Sequence, residues 1–179
     1  KILIINYLIM NKPLVIFELA NNHMGDASHA IDIIKKFKKI SLKFKTTIDF
    51  AFKFQFRDLD TYIEKKFVNT DHKGVRRFLD TKLSENSWKK IIDNCKNLGF
   101  KTICTPFDEN SVDVIEDMKF DILKIASVSS NDWSLLERVA KNNIPKLIST
   151  GGRSINEIDK IVSFFDHKKQ NFALMHCIS

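Results

Sequence analysis

The chain has 179 residues, 44% hydrophobic and 28% charged, a balance that supports one packed domain and excludes a mostly disordered chain. Its formal net charge is +7, but no nucleic-acid-binding signature accompanies the basic residues, and no apolar run reaches the roughly 18 residues that span a bilayer. Three widely spaced cysteines argue against a disulfide framework or a zinc motif and are typical of a reducing, cytoplasmic compartment. We therefore expect neither a nucleic-acid nor a membrane partner.

The amino terminus is a poor match to a targeting segment. Its first ten residues are apolar, but Asn11, Lys12 and Pro13 interrupt the run at once. A secretory signal peptide has a longer apolar stretch followed by a small-residue cleavage site. We therefore expect residues 1–9 to be an upstream extension, with Met10 as the native start.

Short apolar runs recur along the chain and are predicted to be β-strands. Continuous runs of this kind, rich in Ile, Val, Leu and Phe, are typical of strands that are buried on both faces. There are six of them, at residues 13–19, 49–56, 101–107, 122–127, 145–151 and 171–179.

Helical patterns lie between these runs. The first covers residues 29–44, where lysines interleave with apolar residues at helical spacing and so form a solvated face. Ser154 and Glu157 have the spacing of a capping box and predict the start of the last helix. The remaining patterns cover residues 88–98, 112–118 and 135–139.

The alternation of strands and helices predicts a parallel sheet with right-handed crossovers. Two architectures satisfy it, an open doubly wound sheet and a (β/α)₈ barrel. A complete barrel takes about 250 residues, so a barrel here would be incomplete, with about six β/α units. The long segment 57–83 is expected to cover the substrate at the carboxyl end of the strands.

Polar side chains concentrate near the carboxyl ends of the six runs, where parallel α/β folds bind ligands. Two ammonium groups and several hydroxyls converging at such an edge would suit a phosphate or a carboxylate. The residues in question are Glu18, Lys53, Gln55, Thr105, Lys124, Ser127, Ser149, His176 and Ser179.

Strand periodicity places Lys53 and Gln55 on one face of the second strand and its phenylalanines on the other. Each polar residue also has an ordinary interpretation: strand-end serines cap helices, and Lys124 can extend to solvent. Cys104 and Cys177 are interpreted as apolar fillers. From the residues alone, the pattern indicates an anion-binding α/β enzyme.

Six segments together resemble the N-acetylneuraminate (sialic acid) synthase family, in order and over nearly the whole chain. No single motif is specific, but their conjunction is. The segments are FELANNHMGD (17–26), FKFQFRDLDTY (52–62), CTPFDENSV (104–112), LKIASVSSND (123–132), LISTGG (147–152) and LMHCIS (174–179).

The resemblance implies a condensation of phosphoenolpyruvate with an N-acyl sugar, N-acetylmannosamine or a relative, giving a nine-carbon 2-keto sugar acid and phosphate. It implies a (β/α)₈ barrel followed by a small antifreeze-like domain in a homodimer. It also implies a divalent metal, Mn²⁺ or Mg²⁺, that activates the sugar aldehyde through ligands on later strands. On this basis, residues 10–179 are a partial catalytic barrel that lacks its last strands and the antifreeze-like domain, and we expect it to be inactive alone.

The motifs also carry roles for individual residues. The resemblance implies that Glu18, Lys53 and Gln55 are catalytic, with Glu18 and Gln55 at the sugar. The residues implied to bind substrate, mainly phosphoenolpyruvate, are Lys53, Thr105, Lys124, Ser127, Ser149 and Ser179.

The sequence departs from the family pattern at several positions. Val128 and Ser129 stand where the family usually has Gly-Glu, and Ser179 stands where it often has Asn. The identity of the sugar is therefore open. Neither His23 nor His176 is assigned as a metal ligand, because the family's ligands come from later strands.

Two other functional hypotheses remain open at this point. A Schiff-base aldolase on the same barrel would use Lys53 or Lys124 as its nucleophile. Alternatively, the chain is a non-catalytic barrel remnant whose exposed edge strands favour self-association.

Overall fold

The computed structural model describes residues 12–177, in which six strands form one parallel sheet. The predictions for residues 1–9, Met10 and Ser179 lie outside the described residues. Each predicted run contains a strand, although several strands are shorter because their polar ends belong to loops. The strands are β1 (Leu14–Glu18), β2 (Asp49–Phe56), β3 (Lys101–Pro106), β4 (Ile122–Ile125), β5 (Lys146–Ser149) and β6 (Phe172–Met175).

Helices follow the strands and begin at polar caps. Ser154 and Glu157 form the predicted capping box, and five other helices begin where an Asp or Ser side chain accepts a backbone N–H. None of the helices within residues 12–177 has the length and apolarity needed to cross a membrane. The helices are α1 (Ala27–Ser41), α2 (Leu59–Tyr62), α3 (Lys73–Leu79), α4 (Glu85–Asn97), α5 (Glu109–Asp117), α6 (Trp133–Val139) and α7 (Ile155–His167).

The strand order decides between the two predicted architectures. The order is β1-β2-β3-β4-β5-β6, and every neighbouring pair is parallel. A doubly wound sheet reverses its strand order at a switch point, and this sheet does not. Right-handed crossovers that always advance in one direction put the helices on one face, so the sheet curls into an incomplete (β/α)₈ barrel.

The two faces of the sheet are packed differently. The outer face carries the main core, in which Phe52 and Phe54 are fully buried against the helices, each stabilising the fold by about 2 kcal/mol. The inner face has a smaller apolar cluster of Ala51, Ile103, Ile122 and Leu147. This cluster is the apolar layer from which the polar residues at the carboxyl ends project.

The segment 57–83 is structured, with α2, α3 and a 3₁₀ turn at Lys65–Phe67. It is held against the loop after β1 by a hydrogen bond from Asn21 Nδ2 to Thr81 Oγ1 of 2.6 Å. Gly25 allows this approach, because a Cβ at its position would lie 2.9 Å from the Asp80 carbonyl oxygen and its φ is +76°. The segment therefore has a fixed position beside the ends of β1 and β2.

Lys146 is a buried cation on the outer face of β5. Its ammonium group donates to the Asn142 carbonyl at 2.5 Å and to the Gln170 side chain. Burial lowers the pKa of Lys146 from 10.5 to about 8, against the opposing charge of Glu116. The amine therefore loses its proton more easily in the folded chain than in the unfolded chain.

This difference predicts a stability that rises with pH. Between about pH 8 and pH 10.5, unfolding takes up a proton at Lys146, so raising the pH disfavours unfolding by up to about 3 kcal/mol. Urea unfolding across this range, for the native chain and for Lys146→Met, isolates the contribution of Lys146. Parallel stability curves for the two chains would contradict the prediction.

Candidate functional site

Lys53 and Glu18 form an ion pair at the carboxyl ends of β1 and β2. They are register partners in the parallel ladder, so their side chains emerge side by side on the inner face. The Lys53 side chain is only 15% exposed, and Glu18 also accepts the Ala20 N–H at 3.1 Å. Glu18 thus fixes the position of the Lys53 amine, and the Glu18 carboxylate remains accessible to solvent.

Lys124 projects from β4 onto the same inner face. Its amine donates to the Ile125 carbonyl at 3.3 Å. Burial, and next the positive charge of Lys53, lower the pKa of Lys124, while Cys177 and Glu18 act in the opposite direction. The two amines are therefore near enough to repel each other, and an anion between them would relieve that repulsion.

Thr105 is the penultimate residue of β3, the strand that lies between the strands of these two lysines. Thr105 is 2% exposed, and its hydroxyl is buried without a hydrogen-bond partner among residues 12–177. Leaving such a group unpaired costs about 1–3 kcal/mol. Thr105 is the register partner of Gln55 in β2. On its other side Ile103 pairs with Ile122 of β4, which brings Thr105 to the level of Lys124. A ligand at this level could satisfy the hydroxyl.

Ser127, Ser149 and Cys177 meet around Gly151. Ser127 Oγ accepts the Gly151 N–H at 3.1 Å, and Cys177 Sγ lies 3.2 Å from Ser149 Oγ. A Cβ on Gly151 would lie 3.0 Å from Ser127 Oγ and 3.1 Å from Cys177 Cβ. The absence of a side chain at Gly151 is therefore needed for the loops after β4, β5 and β6 to approach one another.

The two cysteines interpreted as fillers differ in the structure. Cys104 is fully buried, and burial raises the pKa of its thiol, as expected for an inert filler. The interpretation of Cys177 as a filler is wrong, because this residue is only half-buried. Hydrogen bonding with Ser149, then with Ser127, and the charge of Lys124 lower the pKa of the Cys177 thiol against the effect of burial.

The structure thus links most of the predicted site residues but not all of them. Glu18, Lys53, Lys124, Ser127 and Ser149 form a continuous inner-face cluster through ion pairing, charge proximity and Cys177. We call these residues the lysine cluster. Ser179 lies outside the described residues.

Neither of the two histidines noted in the sequence, His23 and His176, belongs to the lysine cluster. His23 is buried, accepts the Gly25 N–H at Nδ1 and packs edge-on against Trp88, with ring centroids 5.1 Å apart. Burial lowers the pKa of His23, which favours the neutral ring. His176 is exposed. Within residues 12–177, no three His, Cys, Asp or Glu side chains are grouped to hold a metal, so these residues do not by themselves fit the predicted metal.

Gln55 turns toward a residue that the sequence analysis missed. Arg57 donates from both terminal nitrogens to Gln55 Oε1 at 3.2 Å, and its guanidinium carbon lies 3.7 Å from the centroid of the Phe107 ring. The period of two along β2, which puts residues 53 and 55 on one face, also assigns residue 57 to that face. Arg57 was overlooked because it falls beyond the apolar run.

Gln55 and Arg57 also line a cavity of about 360 Å³ under the segment 57–83. The aromatic wall contains Phe56, Phe78 and Trp88. No member of the lysine cluster lines this cavity, so Gln55 is the residue that separates the two regions. The remaining lining residues are Asn21, His23, Asp58, Leu59, Thr81, Lys82, Leu83, Glu85, Asn110, Ser111, Val114 and Met118.

The sheet and the inner-face cluster together define a (β/α)-barrel protein with a cationic mouth at the carboxyl ends of its strands. A sequence profile of the NeuB family matches residues 40–179. The chain belongs to the NeuB family, and the resemblance to sialic acid synthases is confirmed.

Individual relatives agree with this assignment. The chain is 28% identical to the N-acetylneuraminate-9-phosphate synthase of Drosophila melanogaster, over 98% of this chain and 48% of the relative. It is 27% identical to the N,N'-diacetyllegionaminic acid synthase of Campylobacter jejuni, over 94% and 52%. The chain spans about half the length of the curated relatives it matches.

A solved structure supports the fold. A crystal structure from Chromobacterium violaceum, provisionally named spore coat polysaccharide biosynthesis protein E, superposes with a TM-score of 0.89 at 46% identity. The match covers 94% of this chain and 50% of that one. The incomplete barrel is therefore the expected arrangement of the segment.

The thiol environments predict selective alkylation. Cys177 should react with iodoacetamide in the folded chain, while Cys104 and Cys95 stay unmodified. Burial raises the thiol pKa of both, that of Cys95 to about 12. Ser149→Ala should move the pH midpoint of the Cys177 reaction upward, because the thiolate loses a hydrogen bond. Mass spectrometry of tryptic peptides measures both effects.

Cys177→Ser serves as the control and should abolish labelling of the folded chain. Equal labelling of the three cysteines, or an unchanged midpoint in Ser149→Ala, would contradict the assigned environments.

Proposed function

We propose that the complete protein condenses phosphoenolpyruvate with an N-acyl sugar, forming a nine-carbon 2-keto sugar acid and phosphate. The observation that carries the proposal is the pair of inner-face amines, Lys53 and Lys124, beside the Thr105 hydroxyl, which has no hydrogen-bond partner in the described part of the chain. Phosphoenolpyruvate carries a phosphate and a carboxylate within one small molecule, so it can use both cations and the hydroxyl together.

The relatives support the reaction class but leave the sugar open. Both named relatives are synthases of acidic sugars, and they match this chain at nearly equal identity although their products differ. We therefore assign the acceptor as an N-acyl sugar of N-acetylmannosamine type and do not choose among its relatives.

Each residue has a defined part in the proposed reaction. Lys53 and Lys124 neutralise the phosphate and the carboxylate, and Glu18 holds Lys53 in place. Glu18 and Gln55 contact the acceptor sugar. Hydroxyls of Thr105, Ser127 and Ser149 orient the two anionic groups; Ser179 is proposed as a further substrate contact.

The bond changes balance without an external reductant or oxidant. The enol carbon of phosphoenolpyruvate forms a bond to the sugar aldehyde carbon, whose oxygen takes up a proton. Water adds at the carbon that bears the phosphate, and cleavage of its C–O bond releases phosphate and leaves the ketone. The role of the amines is to hold the reacting carbons together and to stabilise the developing negative charge.

Other features of the complete protein stay predictions. They are the divalent metal, the homodimer, the cytoplasmic location and the inactivity of this chain alone.

A Schiff-base aldolase is a second candidate because the pKa of Lys124 is lowered, chiefly by burial and by Lys53. An amine that loses its proton readily is the form that attacks a carbonyl. Borohydride treatment with pyruvate discriminates the two functions. The condensation needs no covalent adduct, whereas an aldolase would be trapped at Lys53 or Lys124 with the added mass of a reduced pyruvate imine.

Lys53→Met should lower turnover of the complete protein by roughly 10²–10³-fold, because a preorganised charge at the reacting anion is lost. The same substitution should weaken phosphoenolpyruvate binding to the 179-residue chain. Phosphate release measures turnover, and calorimetry measures binding.

Lys101→Met is the matched control. Lys101 lies on the inner face at the amino end of β3, where it pairs loosely with Asp49 at 3.9 Å. Removing this charge should leave binding and turnover near the native values. Equal losses in the two variants would show that general positive charge, and not the carboxyl-end site, holds the substrate.

Thr105→Val should separate stability from binding. Valine has nearly the same shape, so it removes the unpartnered hydroxyl and should stabilise the fold by about 1 kcal/mol. It should also weaken phosphoenolpyruvate binding, because the ligand loses a donor. Urea unfolding and calorimetry provide the two values. A loss of stability would show that the hydroxyl has a partner within the protein.

A further inference from the structure

The cavity beside Arg57 has the features of a separate ligand subsite. Its volume of about 360 Å³ falls within the range of small-molecule sites. It lies among the end of β2, the helices α4 and α5, and the segment 57–83. Gln55 joins it to the inner face, because Gln55 is the register partner of Thr105 and also lines the cavity.

Arg57 is a poorly compensated cation in the wall of this cavity. Among residues 12–177 it forms no ion pair, and its Nε is buried without a hydrogen-bond partner. Its guanidinium lies between rings, 3.7 Å from the Phe107 centroid and 4.5 Å from that of Phe78. Burial lowers the pKa of Arg57, and the positive charge of Arg77 acts in the same direction. Tyr62 and Asp108 only partly offset these effects.

The nearby carboxylates are already engaged elsewhere. Asp108 accepts the backbone N–H groups of Asp58 and Ser111, at 2.8 and 2.7 Å. Asp58 accepts from the Asn110 side chain at 2.7 Å. The positive charge of Arg57 is therefore available to an anion that enters the cavity.

The rest of the lining suits a sugar. Trp88 and Phe78 offer flat apolar surfaces to a carbon skeleton, while the side chains of Asn21, Asn110 and Thr81 can exchange hydrogen bonds with hydroxyls. An aromatic wall, hydroxyl partners and a buried guanidinium that has no ion-pair partner among residues 12–177 together favour a sugar that carries a negative charge.

We propose that Arg57 binds a phosphate or carboxylate group carried by the acceptor sugar, at the end remote from its aldehyde. The inference rests on the proposed function, since that function places the acceptor beside Gln55. An acceptor that extends from Gln55 into the cavity meets Arg57 next, because Arg57 donates to the Gln55 oxygen. Arg57 thereby selects anionic over neutral acceptors.

The test uses Trp88 as a built-in reporter. The chain has two tryptophans, so Trp133→Phe in α6 leaves the fluorescence of Trp88 alone. The 179-residue chain is titrated with N-acetylmannosamine, its 6-phosphate and N-acetylmannosaminuronic acid, with calorimetry as a second readout. At least one charged sugar should bind about tenfold or more tightly than the neutral sugar. Which charged sugar binds better identifies phosphate or carboxylate as the group.

Arg57→Gln should remove this preference, and Arg57→Lys should retain part of it because the charge remains without the planar donor pair. Arg76→Gln is the matched control, since Arg76 is exposed in α3, pairs with Asp80 and does not line the cavity. It should keep the native preference.

Three results would overturn the inference: equal binding of charged and neutral sugars by the native chain, binding of none of them, or a full preference in Arg57→Gln. Titration with phosphoenolpyruvate in the same chain tests the proposed function separately. If the chain does not bind phosphoenolpyruvate but still prefers charged sugars, the condensation is rejected and the anion subsite is kept. If the chain binds phosphoenolpyruvate but shows no preference for charged sugars, only the subsite is rejected.

Discussion

The rest of the site depends on two ammonium groups that project from an apolar layer of a parallel sheet. Lys53 and Lys124 rise from the same inner face that carries Ala51, Ile103 and Leu147 below them. Glu18 pairs with Lys53, which leaves the charge of Lys124 without an ion-pair partner among residues 12–177. A buried ammonium group without a counter-ion lowers the stability of the fold unless an anion binds beside it. Because of this cost, the two lysines indicate a binding site rather than a stabilising contact.

Strand periodicity was sufficient to predict which side chains share the inner face. In β2 the alternation of Lys53 and Gln55 with phenylalanines fixes both faces, because successive side chains point in opposite directions. The strand order was not predictable in the same way. A doubly wound sheet and a barrel produce the same alternation of elements, and the order from β1 to β6 is a tertiary property.

The residues that sequence reasoning misjudged owe their character to distant neighbours. Cys177 looks like an ordinary apolar residue in its own segment, but the hydroxyls that lower its pKa belong to the ends of other strands. Arg57 lies in a loop, and its position depends on Phe107 and on the contact of the segment 57–83 with Gly25. No local pattern in the sequence encodes these contacts, whereas the family resemblance supplied several of the roles directly.

Unpartnered buried polar groups are few in native proteins, so their location is informative. Among residues 12–177 three side chains carry one: Arg57, Thr105 and Asn142. Asn142 lies beside the buried Lys146, at the opposite end of the sheet from the site. The other two flank Gln55, one as its register partner and one as its hydrogen-bond donor. A fold that leaves two costly groups unpaired around one amide is organised for a ligand that passes Gln55, with its reacting end toward Thr105 and its charged end toward Arg57.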